Sequence, residues 1–213
     1  SEMKVLLLGA GGKIGNVILQ ELANRGHAVS AAYRKTPGQA EMPENADVLI
    51  ADARDASAIA RAATGHDAVV SAIGPGRLKS VSAIEEVASA LITGLATANV
   101  FRLIIVGGAG TLELSPGVIR LDAPSYPEQF RASGLAQKAA LELYEDCNLD
   151  WTYISPPIKI GPGEKRGRYR IGSKEVLYDE SGESWISTQD YAVALCEVLE
   201  AGTHKRSRIT VGY

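Results

Sequence analysis

Residues 5–15 read VLLLGAGGKIG, a short apolar run followed directly by a glycine-rich turn. The four apolar residues at 5–8 are typical of a strand that is buried on both faces. Glycines then stand at positions 9, 12 and 15, in the spacing G-x-x-G-x-x-G. A turn of this kind between a first strand and a helix presents backbone N–H groups to a phosphate. The stretch therefore predicts a phosphate-binding turn, with an ordinary glycine-rich turn as the alternative.

Each position of this turn has a predicted role. Gly9 permits a tight turn, Gly12 leaves space for a pyrophosphate beside the backbone, and Gly15 lets the helix approach the sheet. Lys13 and Ile14 open the helix, so we expect them to belong to the same anion site at its positive end. These five residues are predicted to hold the pyrophosphate of a dinucleotide.

The chain continues as an alternation of short Val/Ile/Leu-rich runs and longer Ala/Leu segments of helical period. The predicted strands lie at 5–8, 28–33, 48–51, 68–72, 103–106 and 152–155. The predicted helices lie at 12–25, 56–64, 80–99 and 131–147. This order predicts an α/β fold of Rossmann type, a doubly wound parallel sheet with helices on both faces.

The amino-acid composition changes after residue 155, where prolines and glycines become frequent. We expect a small, loop-rich C-terminal subregion there, with short strands at 169–171 and 175–178 and a last strand at 208–211. Ser187 precedes Asp190 by three residues, a spacing that favours a helix cap. The following helix is predicted to bury four residues: Ala194, Leu195, Val198 and Leu199. The chain is interpreted as one domain, 1–213, with a cofactor-binding core at 1–155 and a mainly substrate-side part at 156–213.

Composition excludes several classes of protein. The 22 Lys and Arg residues against 25 Asp and Glu leave a formal charge of -3, without the basic excess that nucleic acid or an anionic membrane attracts. The cysteines and histidines are isolated from one another, so no metal site is predicted. The first apolar run is too short for a signal peptide or a membrane span. We expect a cytoplasmic protein that binds small molecules.

The end of the second predicted strand indicates which dinucleotide binds. An enzyme that prefers NAD usually offers a carboxylate to the ribose hydroxyls at this point, whereas this chain has Arg34 and Lys35. A guanidinium can bind a 2′-phosphate with two hydrogen bonds and stack on adenine. NADP(H) is therefore favoured over NAD(H), and the alternative is a solvated basic pair on a loop.

Two further segments are predicted to contact the adenosine half of the dinucleotide. Asp52, followed by Ala53, comes just after the third predicted strand and could accept a hydrogen bond from the adenine amino group. A helix-capping or turn aspartate is the equal alternative. Ala72, Ile73 and Gly74 follow the fourth predicted strand, where small residues would let the cofactor cross the sheet edge, or would simply form a turn.

With these motifs in place, the chain resembles the atypical short-chain dehydrogenase/reductase group, and within it the NmrA-like NAD(P)H-binding proteins of the NADH-flavin reductase type. The resemblance spans the whole chain and rests on the glycine turn and five further segments: 51–55, 106–110, 155–157, 167–170 and 186–192. The resemblance implies that the segment after the sixth strand touches the nicotinamide. In this sequence that segment is Ser155, Pro156 and Pro157.

One catalytic feature of ordinary short-chain dehydrogenases is missing. They use a Tyr-x-x-x-Lys pair, in which the tyrosine gives a proton to the carbonyl. The matching segment, 134–138, reads GLAQK, so Gly134 replaces the tyrosine and Lys138 remains. Lys138 is the candidate catalytic residue because it can hold a ribose hydroxyl, and the alternative is a surface lysine. Gly107, Gly108 and Ala109 take the place of the expected Ser or Thr. The glycines in 107–110 are predicted to leave room for a flat ring over the nicotinamide.

These observations favour an NAD(P)H-dependent oxidoreductase that passes hydride to a flat conjugated acceptor, a flavin or a quinone, because such a ring needs little protein acid. Tyr126, Phe130 and Tyr169 either pack a lid onto the domain, the interpretation slightly preferred, or stack on the acceptor. The basic run 165–170 either forms a solvated loop or attracts an anionic acceptor. A non-catalytic redox sensor of the NmrA type, passing the NAD(P) state to a protein partner, is the alternative. An NAD-dependent epimerase is a weaker alternative, since it also needs the missing tyrosine.

Overall fold

The computed structural model describes residues 2–38, 42–75 and 80–213. Within them the helices are α1 (Lys13–Asn24), α2 (Ala56–Ala63), α3 (Ser82–Ala98), α4 (Arg131–Glu145) and α5 (Thr188–Ala201). The strands there are β1 (Lys4–Leu8), β2 (Ala28–Tyr33), β3 (Ala46–Ile50), β4 (Ala68–Ser71), β5 (Arg102–Val106), β6 (Glu113–Ser115), β7 (Val118–Ile119), β8 (Asp150–Ser155), β9 (Lys159–Gly161), β10 (Arg170–Gly172), β11 (Trp185–Ser187) and β12 (Ser207–Gly212).

Eight strands form the central sheet, in the order β10-β12-β8-β5-β4-β1-β2-β3. Seven of them pair in parallel, and β10 pairs antiparallel with β12 at the edge. The strand order reverses between β1 and β4, because the chain builds outward from β1 to β3 and then crosses back to β4. Ligands of open parallel sheets bind at such a reversal, beside the carboxyl ends of the strands. The predicted Rossmann-type α/β fold is confirmed.

Helices cover both faces of this sheet. On one face, α1 and α5 pack on Val5 and Leu7 of β1, and on the other, α2, α3 and α4 pack toward Leu6 and Leu8. All four of these β1 side chains are at most 1% exposed. The continuous apolar run that opened the sequence reflects this two-sided burial, since a strand covered on both faces has no polar side.

Helix α5 forms as the sequence predicts. Ser187 Oγ accepts a hydrogen bond from the backbone N–H of Asp190 at 3.0 Å, so the predicted cap is confirmed. The helix ends at Gly202, whose φ of 64° is left-handed and suits glycine. The four residues predicted to face inward are all buried: Ala194, Leu195, Val198 and Leu199.

The C-terminal part differs from its prediction in its short strands. The strand predicted at 175–178 is wrong, because only Glu175 forms a bridge, to Glu113. The parallel pair β9 and β11 and the hairpin of β6 and β7 were not predicted. These elements are two or three residues long, too short for a hydrophobic period to appear. Strand β12 lies in the main sheet beside β8, so the C-terminal part completes the core sheet as well as adding loops to it.

Candidate functional site

The glycine turn after β1 is held by close backbone approaches. Gly9 has a left-handed φ of 85°, and a Cβ there would lie 2.6 Å from the carbonyl carbon of Ala72 at the end of β4. At Gly15, a Cβ would collide with the carbonyl oxygen of Gly9. The backbone of the turn itself therefore requires glycine at position 15, in addition to any close approach of the helix to the sheet. Both positions tolerate only glycine without rearrangement.

The first turn of α1 is open to an anion. Gly12 is its N-cap residue, and no side chain caps the helix within the described residues. Lys13 is exposed, Ile14 is half-buried, and the first turn contains no acidic residue. Helix α2 differs, because Asp55 accepts hydrogen bonds from its first N–H groups. The unmatched N–H groups and the positive end of the helix dipole make the start of α1 suited to a phosphate.

A cavity opens beside Gly9, at the carboxyl ends of β1, β2 and β3. Four residues predicted from the sequence line it together with Gly9: Arg34, Asp52, Ala53 and Ile73. Arg54 also lines this adenosine-side cavity, although the sequence analysis did not single it out. Its position next to the predicted Asp52 and Ala53 was the available signal. Lys35, Ala72 and Gly74 are not among the lining residues, and Ala72 instead abuts Gly9.

Asp52 has two roles in this cavity. It forms a turn, because its carboxylate accepts the backbone N–H of Arg54 at 3.0 Å, and it faces the cavity. The backbone and side-chain hydrogen bonds from Arg54 lower the pKa of Asp52, and the positive charge of Arg34 lowers it further. The carboxyl group is therefore ionised at neutral pH. Two guanidinium groups against one carboxylate leave this end of the site with a net positive charge.

A second cavity adjoins the first, since Ile73 and Val87 line both. It lies at the ends of β4 and β5 under α3 and α4, and its walls are mostly apolar. Four polar side chains line it: Ser71, Gln137, Tyr144 and Tyr153. Its volume is about 30 Å³, which admits water but not a ring. The sequence analysis did not identify these four residues.

The glycines after β5 do not leave the space that was predicted. A Cβ at Gly107 would collide with the ring of Tyr153, and a Cβ at Gly108 would lie 2.7 Å from Cδ of Gln137. At Gly110, the nearest atoms belong to Leu121. The expectation of open room for a flat ring beside these glycines is wrong, because the protein's own side chains fill it.

The position of the missing tyrosine is also filled. A Cβ at Gly134 would lie 2.6 Å from Cδ2 of Leu121 and 2.7 Å from the hydroxyl oxygen of Tyr126. Lys138, on the same helix, donates a hydrogen bond to Glu142 at 3.0 Å, and 44% of its side chain is exposed. The structure does not bring Lys138 to either cavity. Its role toward a ribose stays a prediction.

Ser155, at the carboxyl end of β8, is completely buried. Its hydroxyl oxygen has no hydrogen-bond partner among the residues that the structure describes. Pro156 and Pro157 follow it and are buried. A buried hydroxyl without a partner is rare. Ser155, Pro156 and Pro157 line neither cavity, so their contact with the nicotinamide stays a prediction.

The aromatic and basic residues of the C-terminal loops mostly contact the protein itself. Tyr169 donates to Glu197 on α5 at 2.8 Å, and Lys165 forms an ion pair with Glu21 at 2.6 Å. Arg166 stacks over the ring of Tyr213 at 4.0 Å. These contacts attach the loop of residues 162–169 to α1 and α5, so they account for much of its basic run without a ligand.

Comparison with known proteins assigns the family. A profile described as NAD(P)H-binding matches residues 9–201, which include the glycine turn, most of the lining of both cavities and α5. The chain belongs to this NAD(P)H-binding family. The resemblance drawn from the sequence is confirmed at this level, and a dinucleotide is a ligand of the family.

Three solved structures resemble this NAD(P)H-binding protein over 99% of its chain. A "putative exported protein" from Burkholderia pseudomallei is 40% identical, is covered over 100% of its length and has a TM-score of 0.90. A "putative epimerase" from Bacteroides thetaiotaomicron is 34% identical, with 97% covered and a TM-score of 0.90. A "putative NADH-flavin reductase" from Streptococcus pneumoniae is 32% identical, with 99% covered and a TM-score of 0.87.

Two predicted absences can be examined over the described ranges. In residues 2–38, 42–75 and 80–213, no helix has both the length and the apolar character needed to cross a membrane. The same ranges contain no group of three or more His, Cys, Asp or Glu side chains placed to hold a metal ion. The cytoplasmic location stays a prediction, and one of the similar structures is described as an exported protein.

Proposed function

We propose that this protein is a reductase that uses NADPH and passes hydride to a flat conjugated acceptor of flavin or quinone type. The pyrophosphate would bind at Gly9, Gly12 and the first turn of α1, and the adenosine half would enter the cavity that Asp52 lines. The nicotinamide would lie toward Ser155. When bound, NADPH supplies the hydride.

The observation that carries this proposal is the uncapped start of α1 beside a glycine turn that opens into a cavity. Gly9 and Gly15 admit no side chain, and Gly12 leaves the first N–H groups of the helix without a side-chain cap in the described residues. A dinucleotide needs such an anion site beside a space for its adenosine half.

The preference for NADPH rests on charge at the adenosine end. Arg34 is exposed at the edge of the cavity, and Arg54 stands beside it, held by Asp52. A guanidinium binds a phosphate through paired hydrogen bonds, whereas the hydroxyl of NADH gives it one weaker partner. Arg34 is expected to bind the 2′-phosphate, and Asp52 to hold Arg54 and remain within reach of adenine.

The choice of acceptor follows from Gly134. Carbonyl reduction and epimerisation by the ordinary short-chain route both need a tyrosine at this position, and Leu121 and Tyr126 fill its space. A flavin or quinone delocalises the charge that it gains with the hydride, so it does not need that tyrosine. The chain's part would be to position the two rings and exclude water.

The proposal is tested by titrating the purified protein calorimetrically with NADPH, NADP, NADH and NAD, and by following oxidation of bound NADPH by FMN and by a quinone. Arg34→Ala is expected to weaken NADPH binding roughly 10- to 100-fold and to change NADH binding little. Arg61→Ala is the matched control, because Arg61 is an exposed arginine on α2 outside the cavity.

Each outcome has a distinct meaning. Tight NADPH binding with oxidation by an acceptor supports the reductase. Tight binding with clearly different affinities for the oxidised and the reduced cofactor, and with no oxidation by any acceptor, would favour the redox sensor over the reductase. Equal losses of NADPH and NADH binding in Arg34→Ala would remove the argument for NADPH.

A further inference from the structure

A third cavity opens at the end of the central sheet that β12 and β10 form. Its volume is about 550 Å³, within the range of cavities that bind small molecules. Arg170, the first residue of β10, and Tyr213, which follows β12, both line this β10–β12 cavity. The adenosine-side cavity lies at the other end of the strand order, and the two share no lining residue. An adenosine bound there therefore leaves the β10–β12 cavity open.

Two of the arginines that line the β10–β12 cavity are fixed by the protein. Arg170 donates through Nε to the main-chain oxygen of Tyr213 at 3.1 Å and through Nη2 to the main-chain oxygen of Tyr178. The guanidinium carbon of Arg166 lies 4.0 Å from the ring centre of Tyr213 and 4.8 Å from that of Trp185. A group that is already held loses less conformational entropy when it binds a ligand. Both guanidinium groups are therefore positioned before any ligand arrives.

The hydrogen-bond donors of these arginines are only partly used. Arg168 lines the same cavity, and its side chain has no hydrogen bond or ion pair within the part of the chain that the structure describes. The guanidinium of Arg166 has aromatic rings as its partners and no hydrogen-bond acceptor in those ranges. Together with Arg170, three guanidinium groups thus border one cavity, and none of them is paired with a carboxylate of the described residues.

Two carboxylates also line the β10–β12 cavity. The carboxylate of Asp179 accepts the backbone N–H groups of Glu183 and Ser181, each at 2.9 Å, and the indole N–H of Trp185 at 3.0 Å. These hydrogen bonds lower the pKa of Asp179 to about 2, so it is ionised, but its oxygens are already occupied. Glu180 is exposed. Three arginines against two carboxylates leave the side chains of the cavity with a net positive charge at neutral pH.

The remaining walls of the cavity are aromatic. Tyr169, Tyr178 and Tyr213 line it. The hydroxyl of Tyr169 is anchored to Glu197 on α5, whereas 46% of Tyr178 is exposed, which leaves part of its ring uncovered. Tyrosine rings and guanidinium planes both stack on flat aromatic groups. The cavity therefore combines a stacking surface with donors for an anion.

We propose that the β10–β12 cavity binds a mononucleotide, a flat ring that carries a phosphate, at a site separate from the dinucleotide. The phosphate would bind among Arg166, Arg168 and Arg170, and the ring would stack on Tyr178. A phosphate suits three guanidinium groups better than a carboxylate does, because it offers three terminal oxygens and a carboxylate offers two. The proposal concerns binding alone, so it goes beyond the proposed reductase function and does not depend on it.

The test is a calorimetric titration of the NADP-saturated protein with FMN and with AMP, which carry different rings on the same kind of phosphate. Riboflavin and adenosine, the same rings without phosphate, are the matched ligands. Saturating NADP keeps the dinucleotide site occupied. Arg168→Gln is compared with Arg61→Gln, because both arginines are exposed and only Arg168 lines the cavity. The melting temperature of each variant shows that it folds.

We expect FMN or AMP to bind roughly 10-fold more tightly than its counterpart without phosphate, because charged hydrogen bonds are lost with the phosphate. Arg168→Gln should weaken binding of the nucleotide roughly 10-fold, and Arg61→Gln should bind as wild type does. Glu180→Gln removes a negative charge from the cavity and should strengthen binding about 2-fold. Binding of FMN alone would identify a flavin ring as the preferred ring, and binding of AMP alone a purine ring.

Three results would overturn the proposal: neither nucleotide binds the NADP-saturated protein, the phosphate makes no difference, or the two arginine variants lose affinity equally. Binding of FMN that is unaffected by Arg168→Gln would refute this site and leave the reductase function standing. Binding that needs Arg168, in a protein that oxidises no NADPH, would refute the reductase function and leave this site standing. The two proposals therefore fail separately.

Discussion

Substitution of Gly9 and of Gly26 by alanine separates the cost of a left-handed backbone from the cost of overpacking. Gly9 and Gly26 have the same φ of 85°, but a Cβ at Gly26 would meet nothing within 4 Å, whereas a Cβ at Gly9 would lie 2.6 Å from both the carbonyl carbon and the oxygen of Ala72. Replacing either glycine with alanine forces a left-handed alanine, which costs about 1 kcal/mol after the loss of unfolded-state freedom is counted. Only Gly9→Ala adds the overpacking.

Overpacking against a backbone costs about 1–3 kcal/mol, so Gly9→Ala should destabilise the protein by about 3 kcal/mol in total. One kcal/mol corresponds to roughly 3 °C in the melting temperature of a domain of this size. The expected decreases are therefore about 9 °C for Gly9→Ala and about 3 °C for Gly26→Ala.

Thermal unfolding followed by circular dichroism, with calorimetric titration of NADPH, measures both effects. Gly9→Ala should also lose NADPH affinity, because the turn cannot keep its place beside Ala72, and Gly26→Ala should bind as wild type does. Equal decreases in melting temperature would refute the reasoning, since the close approach to Ala72 would then cost nothing.

Two more predictions concern the packing of α5 and α1. Tyr191→Phe removes a fully buried hydroxyl that donates to a backbone carbonyl of β8 at 2.7 Å, and urea unfolding should show a loss of about 1–3 kcal/mol; an unchanged midpoint would contradict this. Burial alone would raise the pKa of Glu21, but the hydrogen bonds and charges of Lys165 and Arg25 outweigh it and lower the pKa. Glu21 therefore stabilises the fold above its ordinary pKa and loses this effect as pH falls below it. The stability difference between wild type and Glu21→Gln, measured by chemical unfolding, should shrink from about pH 5 to about pH 3, and a difference that stayed constant over that range would contradict the assignment.

The sequence predicted the elements whose signal is repeated along the chain. Strand β1 and helix α5 are long enough, and buried enough, for their apolar pattern to define them. Strands β9 and β11 were not predicted because three residues carry no period, and they pair across 23 intervening residues, between Gly161 and Trp185. Such pairs are stabilised by tertiary contacts, which local patterns do not encode.

The candidate site divides in the same way. The glycine turn and Asp52 were predicted because their spacing is local and its chemistry is direct. Tyr153 was not predicted, because in the sequence it is one more residue of a buried strand. Its hydroxyl meets the backbone N–H of Gly108, which follows β5, only in the folded chain. Lys138 was singled out by its place in a motif, while the adjacent Gln137 faces the cavity. Adjacent residues of a helix point in different directions, and a sequence motif does not show which of them faces a cavity.

The filled space at Gly134 also bears on how this protein could change over time. A tyrosine introduced there would meet Leu121 and Tyr126 before it could reach a substrate, so the single substitution would destabilise the fold without supplying a proton donor. The segment 120–126 would have to move first. An engineer who wants carbonyl chemistry on this fold should therefore redesign the loop before the helix.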